Sequence, residues 1–392
     1  MEQFSKRTNW ETAPNDLARL ARSILETGQN IIDLTGSNPT HSEFRYLDAG
    51  LLKPFTDTGN LSYDPSPRGL LTARASICDY YRRHGISVTP EQVFLTAGTS
   101  EAYGFLFRLL AEPGEMVLAP RPSYPLLDYL AGLADIQVER YPLIYQNKWK
   151  IDKSRFQAGS LRKPKAVVVV NPNNPTGNFV SPKEREAINR FARVQQAAVI
   201  SDEVFLDFAH PARPDMPSFA HNREVLTLTL SGVSKAAGLP QMKLSWIVVS
   251  GPPDLCEEAG RRLEVISDTF LSVSIPAQRA LPFWLGKQRE ITGEILDRLN
   301  VNKTCLAQAV SGIERVKLLA CEGGWYAVLE VAGDRTDEEW AVLLLQEDRV
   351  LVHPGYLFDF EGGPFLVLSL LPPPDLFSKG VDRFAKRLKK PI

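Results

Sequence analysis

Cysteine is scarce in this chain: four among 392 residues, at Cys78, Cys256, Cys305 and Cys321. They form no CxxC pair and have no histidine at zinc-ligand spacing. A disulfide framework and a structural metal site are therefore excluded, leaving four reduced thiols of the kind found in cytosolic proteins. Excess charge is missing too, since 45 Lys+Arg face 46 Asp+Glu for a formal net charge of -1. Without long basic runs there is no footprint for wrapping nucleic acid or for holding an anionic membrane, so recognition has to be local. No segment approaches the ~18 consecutive apolar residues of a membrane span, and Met1-Glu2-Gln3-Phe4-Ser5-Lys6-Arg7 has no apolar stretch behind its charges. The expectation is a soluble, cytoplasmic chain. Also absent are GxGxxG after a strand, GxxxxGK[ST], HExxH and GxSxG, the primary signals of dinucleotide, P-loop, zincin and hydrolase-elbow sites. The histidines (His41, His84, His210, His221 and His353) stand apart from one another and read as surface or loop residues, which gives metal catalysis no support.

What the chain has is ample apolar material, 44% hydrophobic residues, in a length that predicts two or three folding units at roughly 100–200 residues each. Residues 16–27 place Leu17, Leu20, Ala21, Ile24 and Leu25 at helical spacing ahead of a strand at 31–34. From about residue 65, helical patterns alternate with short runs that are apolar on both faces, at 93–96, 116–119, 166–170, 197–200, 225–230 and 246–249. Such runs suit strands covered by helices on both sides, hence an α/β domain with a mostly parallel sheet. Beyond residue 286 a helix at 287–312, a strand at 324–331, a helix at 336–346, a strand at 349–353 and a helix at 375–389 read as a smaller α+β unit. The expected division is 1–40 joining the small domain, 41–285 as the large domain, and 286–392 as the small C-terminal domain.

Three of the apolar runs lead into polar loops, and ligands of open α/β sheets bind beyond such strand ends. The first opens into Asn171-Pro172-Asn173-Asn174-Pro175-Thr176-Gly177-Asn178, either a site wall or a rigid turn. The second opens into Ser201-Asp202-Glu203-Val204-Phe205, where a carboxylate at the end of a buried strand needs a cationic partner or a helix to cap. The third opens into Ser231-Gly232-Val233-Ser234-Lys235, followed by Gly238-Leu239-Pro240-Gln241-Met242-Lys243. A lysine delivered there can be desolvated into a nucleophile, and the hydroxyls with Lys243 suit a phosphate.

In this order the three loops resemble the fold-type I pyridoxal-phosphate enzymes of the class I/II aminotransferase family, with Asn174 to Asp202 spanning 28 residues (202 − 174) and Asp202 to Lys235 spanning 33 (235 − 202). The resemblance implies pyridoxal 5'-phosphate as cofactor, a seven-stranded-type large-domain sheet, and an amino donor and keto-acid acceptor exchanged through a Lys235 Schiff base. By resemblance Lys235 is also the general base and acid, and Asp202 the partner of the pyridine nitrogen. Asn174 is implied as donor to the phenolic oxygen, Tyr124 and Val204 as the two faces of a sandwich around the ring, and Gly98, Thr99, Ser100, Ser234 and Lys243 as the phosphate site. Tyr63 looks like the tyrosine that reaches a partner subunit's phosphate, and Ser272 and Ser274 like residues completing that neighbour's site, which implies a homodimer.

Five positions depart from the family pattern. Phe205 stands where a tyrosine usually donates to the phenolic oxygen. Lys243 replaces the usual phosphate-binding arginine, and Gly232 a common serine, with Ser231 as a neighbouring substitute. Val367 occupies the place of the arginine that grips the substrate carboxylate. Arg121, Arg45 and His353 are candidates for that work; otherwise the substrate is not an ordinary α-amino acid, and a lyase or decarboxylase becomes the alternative to a transaminase. Ser37 falls where the family often has a substrate-contacting glycine. A purely regulatory module is disfavoured, because Lys235, Asp202 and Asn174 are all present.

Overall fold

A computed structural model describes residues 3–156, 162–210, 218–271 and 273–390. After a short strand β1 (Ile32–Asp33), eight strands build the central sheet: β2 (Val93–Thr96), β3 (Met116–Arg121), β4 (Gln137–Tyr145), β5 (Trp149–Ile151), β6 (Ala166–Val170), β7 (Ala198–Asp202), β8 (Thr227–Gly232) and β9 (Ser245–Ser250). Their order is β2-β9-β8-β7-β6-β3-β4-β5. The run from β4 to β8 is parallel, whereas β9 and β5 are antiparallel to their neighbours. Strands β6 to β9 are apolar and buried along almost their whole length, as expected of a sheet covered on both faces. The mostly parallel α/β architecture is as expected, but the sheet has eight strands in place of seven. The strands that no apolar run in the sequence marks are β4 and its hairpin partner β5 at the sheet margin, where β4 is only partly covered.

The direction of these strands places the site. Strands β2, β3, β6, β7 and β8 all end, and antiparallel β9 begins, at one edge of the sheet. Residues 97–100, 122–124, 171–178, 202–205, 233–235 and 243–245 therefore converge there, although they span nearly 150 positions of sequence (245 − 97).

The C-terminal part holds β10 (Val316–Leu318), β11 (Tyr326–Val331), β12 (Val350–Leu351), β13 (His353–Pro354) and β14 (Phe365–Ser369). A four-stranded antiparallel sheet runs β10-β11-β14-β13, while β12 pairs in parallel with β1, tying the N-terminal segment to this part. Helix Asp16–Glu26 packs on helix Asp337–Asp348, and helix Pro374–Lys389 on helix Gln288–Val310. These ends lie within two residues of the expected ones. Thr336 and Glu339 form a capping box that fixes the start of Asp337–Asp348.

Of the histidines read as surface or loop residues, His353 lies in β13 instead, whereas His210 lies in a loop but is almost wholly buried. Its Nε2 lies 3.1 Å from the Gly324 carbonyl, and its Nδ1 lies 2.9 Å from Lys303 Nζ. Burial, reinforced by the Lys303 charge, lowers its pKa to about 4, so near neutral pH the ring accepts from the ammonium at Nδ1 and donates at Nε2.

Buried Asn302 donates from Nδ2 to the carbonyls of Leu370 and Pro372, each at 2.8 Å, joining helix Gln288–Val310 to the segment after β14. Asn302→Leu leaves both carbonyls unpaired, and urea unfolding is expected to show a loss of about 2–4 kcal/mol. An unchanged midpoint would show that this joint contributes nothing.

Candidate active site

At the convergence of the strand ends lies a cavity of about 380 Å³. Lys235 enters it from the single helical turn Val233–Ala236 that follows β8. Its Nζ sits 4.6 Å from the Trp325 ring centroid and 5.5 Å from that of Phe205, and among the described residues it has no hydrogen-bond acceptor. Burial lowers its pKa to about 8, against the upward pull of Asp202. Asp202, at the end of the neighbouring strand β7, is pushed up to about 6 by burial. The Val204 N–H at 3.2 Å from Oδ1, the Tyr103 hydroxyl at 3.2 Å from Oδ2, and the Lys235 charge all oppose that rise. Acid and base are thus drawn toward neutrality from opposite sides, the pattern that proton-transfer chemistry needs.

Further along the same edge, Thr99 and Ser100 open helix Thr99–Leu110, with Gly98 as its N-cap. A side chain at Gly98 would place its Cβ 3.7 Å from Lys243 Nζ, so the ammonium stands over the helix N-terminus. Thr99, Ser100, Ser234 and Lys243 all line the cavity. Free N–H groups, hydroxyls and one cation around a helix start make an anion site.

The Asn-Pro loop forms a third wall. Asn173 Nδ2 donates to the Pro122 carbonyl (3.0 Å) and to Thr176 Oγ1 (2.7 Å), and Thr176 donates to Asn178 Oδ1 (2.6 Å). Gly177 has φ +70, and a Cβ there would strike Cys321 Sγ and the Gly323 carbonyl, so the loop is seated on the segment before β11. These contacts hold Asn174 at the cavity, where its Oδ1 is buried without a partner. Tyr124, Val204 and Phe205 line the cavity as well. The Phe205 ring packs edge-on against Trp325, with centroids 5.3 Å apart.

Most of the sequence-predicted residues therefore meet in one place. Tyr63 does not line the cavity and is 66% exposed; Ser274 is exposed, and Ser272 falls outside the described residues. Ser231, the suggested stand-in for residue 232, is buried away from the cavity, and Ser245 from β9 lines it instead. None of the three carboxylate candidates reaches the cavity. Arg121 is held by Asp359 (2.8 Å) and Glu361 (2.5 Å), Arg45 is exposed beside Glu294 (3.7 Å), and His353 stacks edge-on with Phe358 (5.6 Å). Val367 is wholly buried in β14. Among the described residues the cations lining the cavity are Lys235 and Lys243. Tyr103, Trp325, Tyr326 and Ser245 belong to the site but were missed. The first three sit in ordinary apolar helix and strand patterns, and only the fold brings them to Asp202 and Lys235.

A cofactor with a phosphate, an aromatic ring and an amine-reactive carbon fits this donor set. Among the described residues the Asn174 Nδ2 donor and the Lys235 amine make no hydrogen bond, and such a group supplies a partner to each.

The sequence profile described as "Aminotransferase class I and II" matches residues 30–370. The chain belongs to this family. Family members use pyridoxal 5'-phosphate, which is the cofactor assigned to the cavity. The glutamate-pyruvate aminotransferase AlaA of Haemophilus influenzae is 25% identical over 379 residues, covering 94% of this chain and 93% of that protein. Nicotianamine aminotransferase 1 of rice is 28% identical over 76% of this chain. The S-alkyl-thiohydroximate lyase SUR1 of Arabidopsis thaliana is 33% identical over 75% of it. The chain spans 62% and 66% of the lengths of these two plant relatives. In fold, the alanine aminotransferase from Pyrococcus furiosus superposes with a TM-score of 0.88 at 24% identity, covering 99% of this chain and 100% of that one.

Beside Asp202, buried Glu203 accepts from Ser201 Oγ (2.9 Å), Ser218 Oγ (2.6 Å) and the Phe219 N–H (2.7 Å). Burial nevertheless pushes its pKa up to about 7 from an ordinary 4.5. A raised folded-state pKa means that stability present below pH 4.5 is lost as pH rises through about 7. Glu203→Gln, which cannot ionise, is expected to gain Tm relative to the parent progressively across that interval. A pH-independent Tm difference would show that Glu203 does not titrate there.

Proposed function

We propose that this chain is an aminotransferase that moves an amino group from an amino acid or amine to a keto acid, working as a cytoplasmic homodimer. The observation that carries the reading is Lys235 Nζ, half-buried and free of hydrogen bonds among the described residues, sharing with Asp202 a cavity that also holds an anion site. Its being glutamate-pyruvate aminotransferase-like is supported by the extent of the match to AlaA, which runs through nearly the whole of both chains. The homodimer rests on the likeness of Tyr63 to a residue that serves a partner's site, and Tyr63 is exposed as that role requires. The cytoplasmic placement agrees with four free thiols. Pairing of β1 with β12 supports grouping residues 1–40 with 286–392 around the large domain at 41–285.

When bound, pyridoxal phosphate supplies an electron sink for the substrate carbon that carries the nitrogen. The chain's own residues do the rest. Lys235, with its pKa near 8, has a usable fraction of free amine at neutral pH and moves a proton at Nζ to and from that carbon. Asp202, ionised above about pH 6, offers a fixed negative charge to a protonated ring nitrogen, and Tyr103 orients the carboxylate. Asn174 would donate to the ring's phenolic oxygen, Tyr124 and Val204 would flank the ring, and the Gly98–Ser100 turn with Ser234 and Lys243 would hold the phosphate.

A second reading, a lyase on the same scaffold, is favoured by Val367 and by the likeness to a protein named as a lyase. The two readings separate by visible spectroscopy and product analysis on the cofactor-loaded protein, using a panel of L-amino acids and simple amines. Transamination predicts a spectral change with particular donors that a keto acid reverses, with one new amino acid formed for each donor consumed. Release of ammonia and a keto acid without amine transfer would move the assignment to the lyase. Lys235→Ala is expected to cut turnover about 10²–10⁴-fold.

A further inference from the structure

Resting on the cofactor assignment above, we propose that Ser245 gives the cofactor phosphate the hydroxyl that Gly232 cannot, reaching it from the adjacent strand. Gly232 closes β8 and Ser245 opens β9, and the two are direct partners in the antiparallel register. A Cβ built at residue 232 would strike Ser245 Oγ and lie 2.8 Å from Ser245 Cβ and 3.0 Å from its Cα. The Ser245 side chain therefore fills the space that a side chain at 232 would need. Gly232 stays without a side chain because Ser245 has one there.

Ser245 is 2% exposed, and among the described residues its hydroxyl has no hydrogen-bond partner. The Ser245 side chain lines the cavity together with Thr99, Ser100, Ser234 and Lys243, so its hydroxyl stands open to the group that the anion site receives. The placement also answers a weakness in that site. Lys243 is a point charge without the paired donors of a guanidinium, and an added hydroxyl restores a directional contact. Ser231 cannot supply it, because that side chain is buried on the other side of the strand.

The test is the affinity of the cofactor-free full chain for pyridoxal 5'-phosphate and for pyridoxal, which lacks the phosphate, measured by absorbance titration for the parent, Ser245→Ala and Ser231→Ala. Ser245→Ala is expected to weaken pyridoxal phosphate binding by about tenfold or more, as for a hydrogen bond to a charged group, and to leave pyridoxal binding unchanged. Ser231→Ala is expected to change neither. Equal affinity of Ser245→Ala and the parent for pyridoxal phosphate would overturn the proposal. So would a parallel loss for both compounds, which marks a packing role, or a phosphate-selective loss in Ser231→Ala. If the parent itself binds neither compound, the cofactor assignment falls, separately from the role of Ser245.

Discussion

A half-buried ammonium and a half-buried carboxylate that share one cavity organise this molecule. Each is expensive to bury alone, and each makes the other tolerable. Desolvation draws the pKa of Lys235 down to about 8 and that of Asp202 up to about 6, while their mutual attraction and the Tyr103 and Val204 donors keep Asp202 from going further. The pair exists because β7 and β8 are parallel neighbours. The residue that ends β7 stands beside the turn that follows β8, and no shorter path through sequence would bring them together. Helices on both faces of the sheet supply the dry surroundings.

The second requirement is that the cavity be closed on the side the central sheet does not reach. Trp325, just before β11, lies against Lys235, and the segment at 321–324 is locked to the Asn-Pro loop through Gly177 and to residues 208–210 through backbone bonds. Buried His210, held neutral between Lys303 and the Gly324 carbonyl, is part of that lock. The C-terminal part thus shapes the reactive amine's surroundings without supplying a charge. The cavity ends up with its cations at the lysine and at the anion site, and with neutral groups such as Ser37 and Tyr326 elsewhere in its lining.

Much of this was legible in the sequence, for physical reasons that differ by element. Strands β6 to β9 announce themselves as apolar runs because both of their faces are covered, and the loops after β6, β7 and β8 stand out because polar residues follow directly. The partly covered β4 and its hairpin partner carry no such run, so six of the eight strands are visible as apolar runs. Asn174, Asp202 and Lys235 stand out through the family resemblance of the loops that carry them, whereas Tyr103 and Trp325 look like any core aromatic until the fold brings them to groups 99 and 90 residues away in sequence (202 − 103 and 325 − 235). Ser245 was invisible for a related reason. Its role depends on which residue lies across the strand pair, and that register is not written locally.

The most direct test of the coupled pair is the pKa of Lys235 in the cofactor-free protein, followed by NMR of isotopically labelled lysine, in the parent and in Asp202→Asn. The account predicts a value near 8 in the parent, well below the ordinary 10.5, and a lower value in Asp202→Asn, because the carboxylate raises it. An ordinary lysine pKa in the parent, or no change on removing the Asp202 charge, would contradict it.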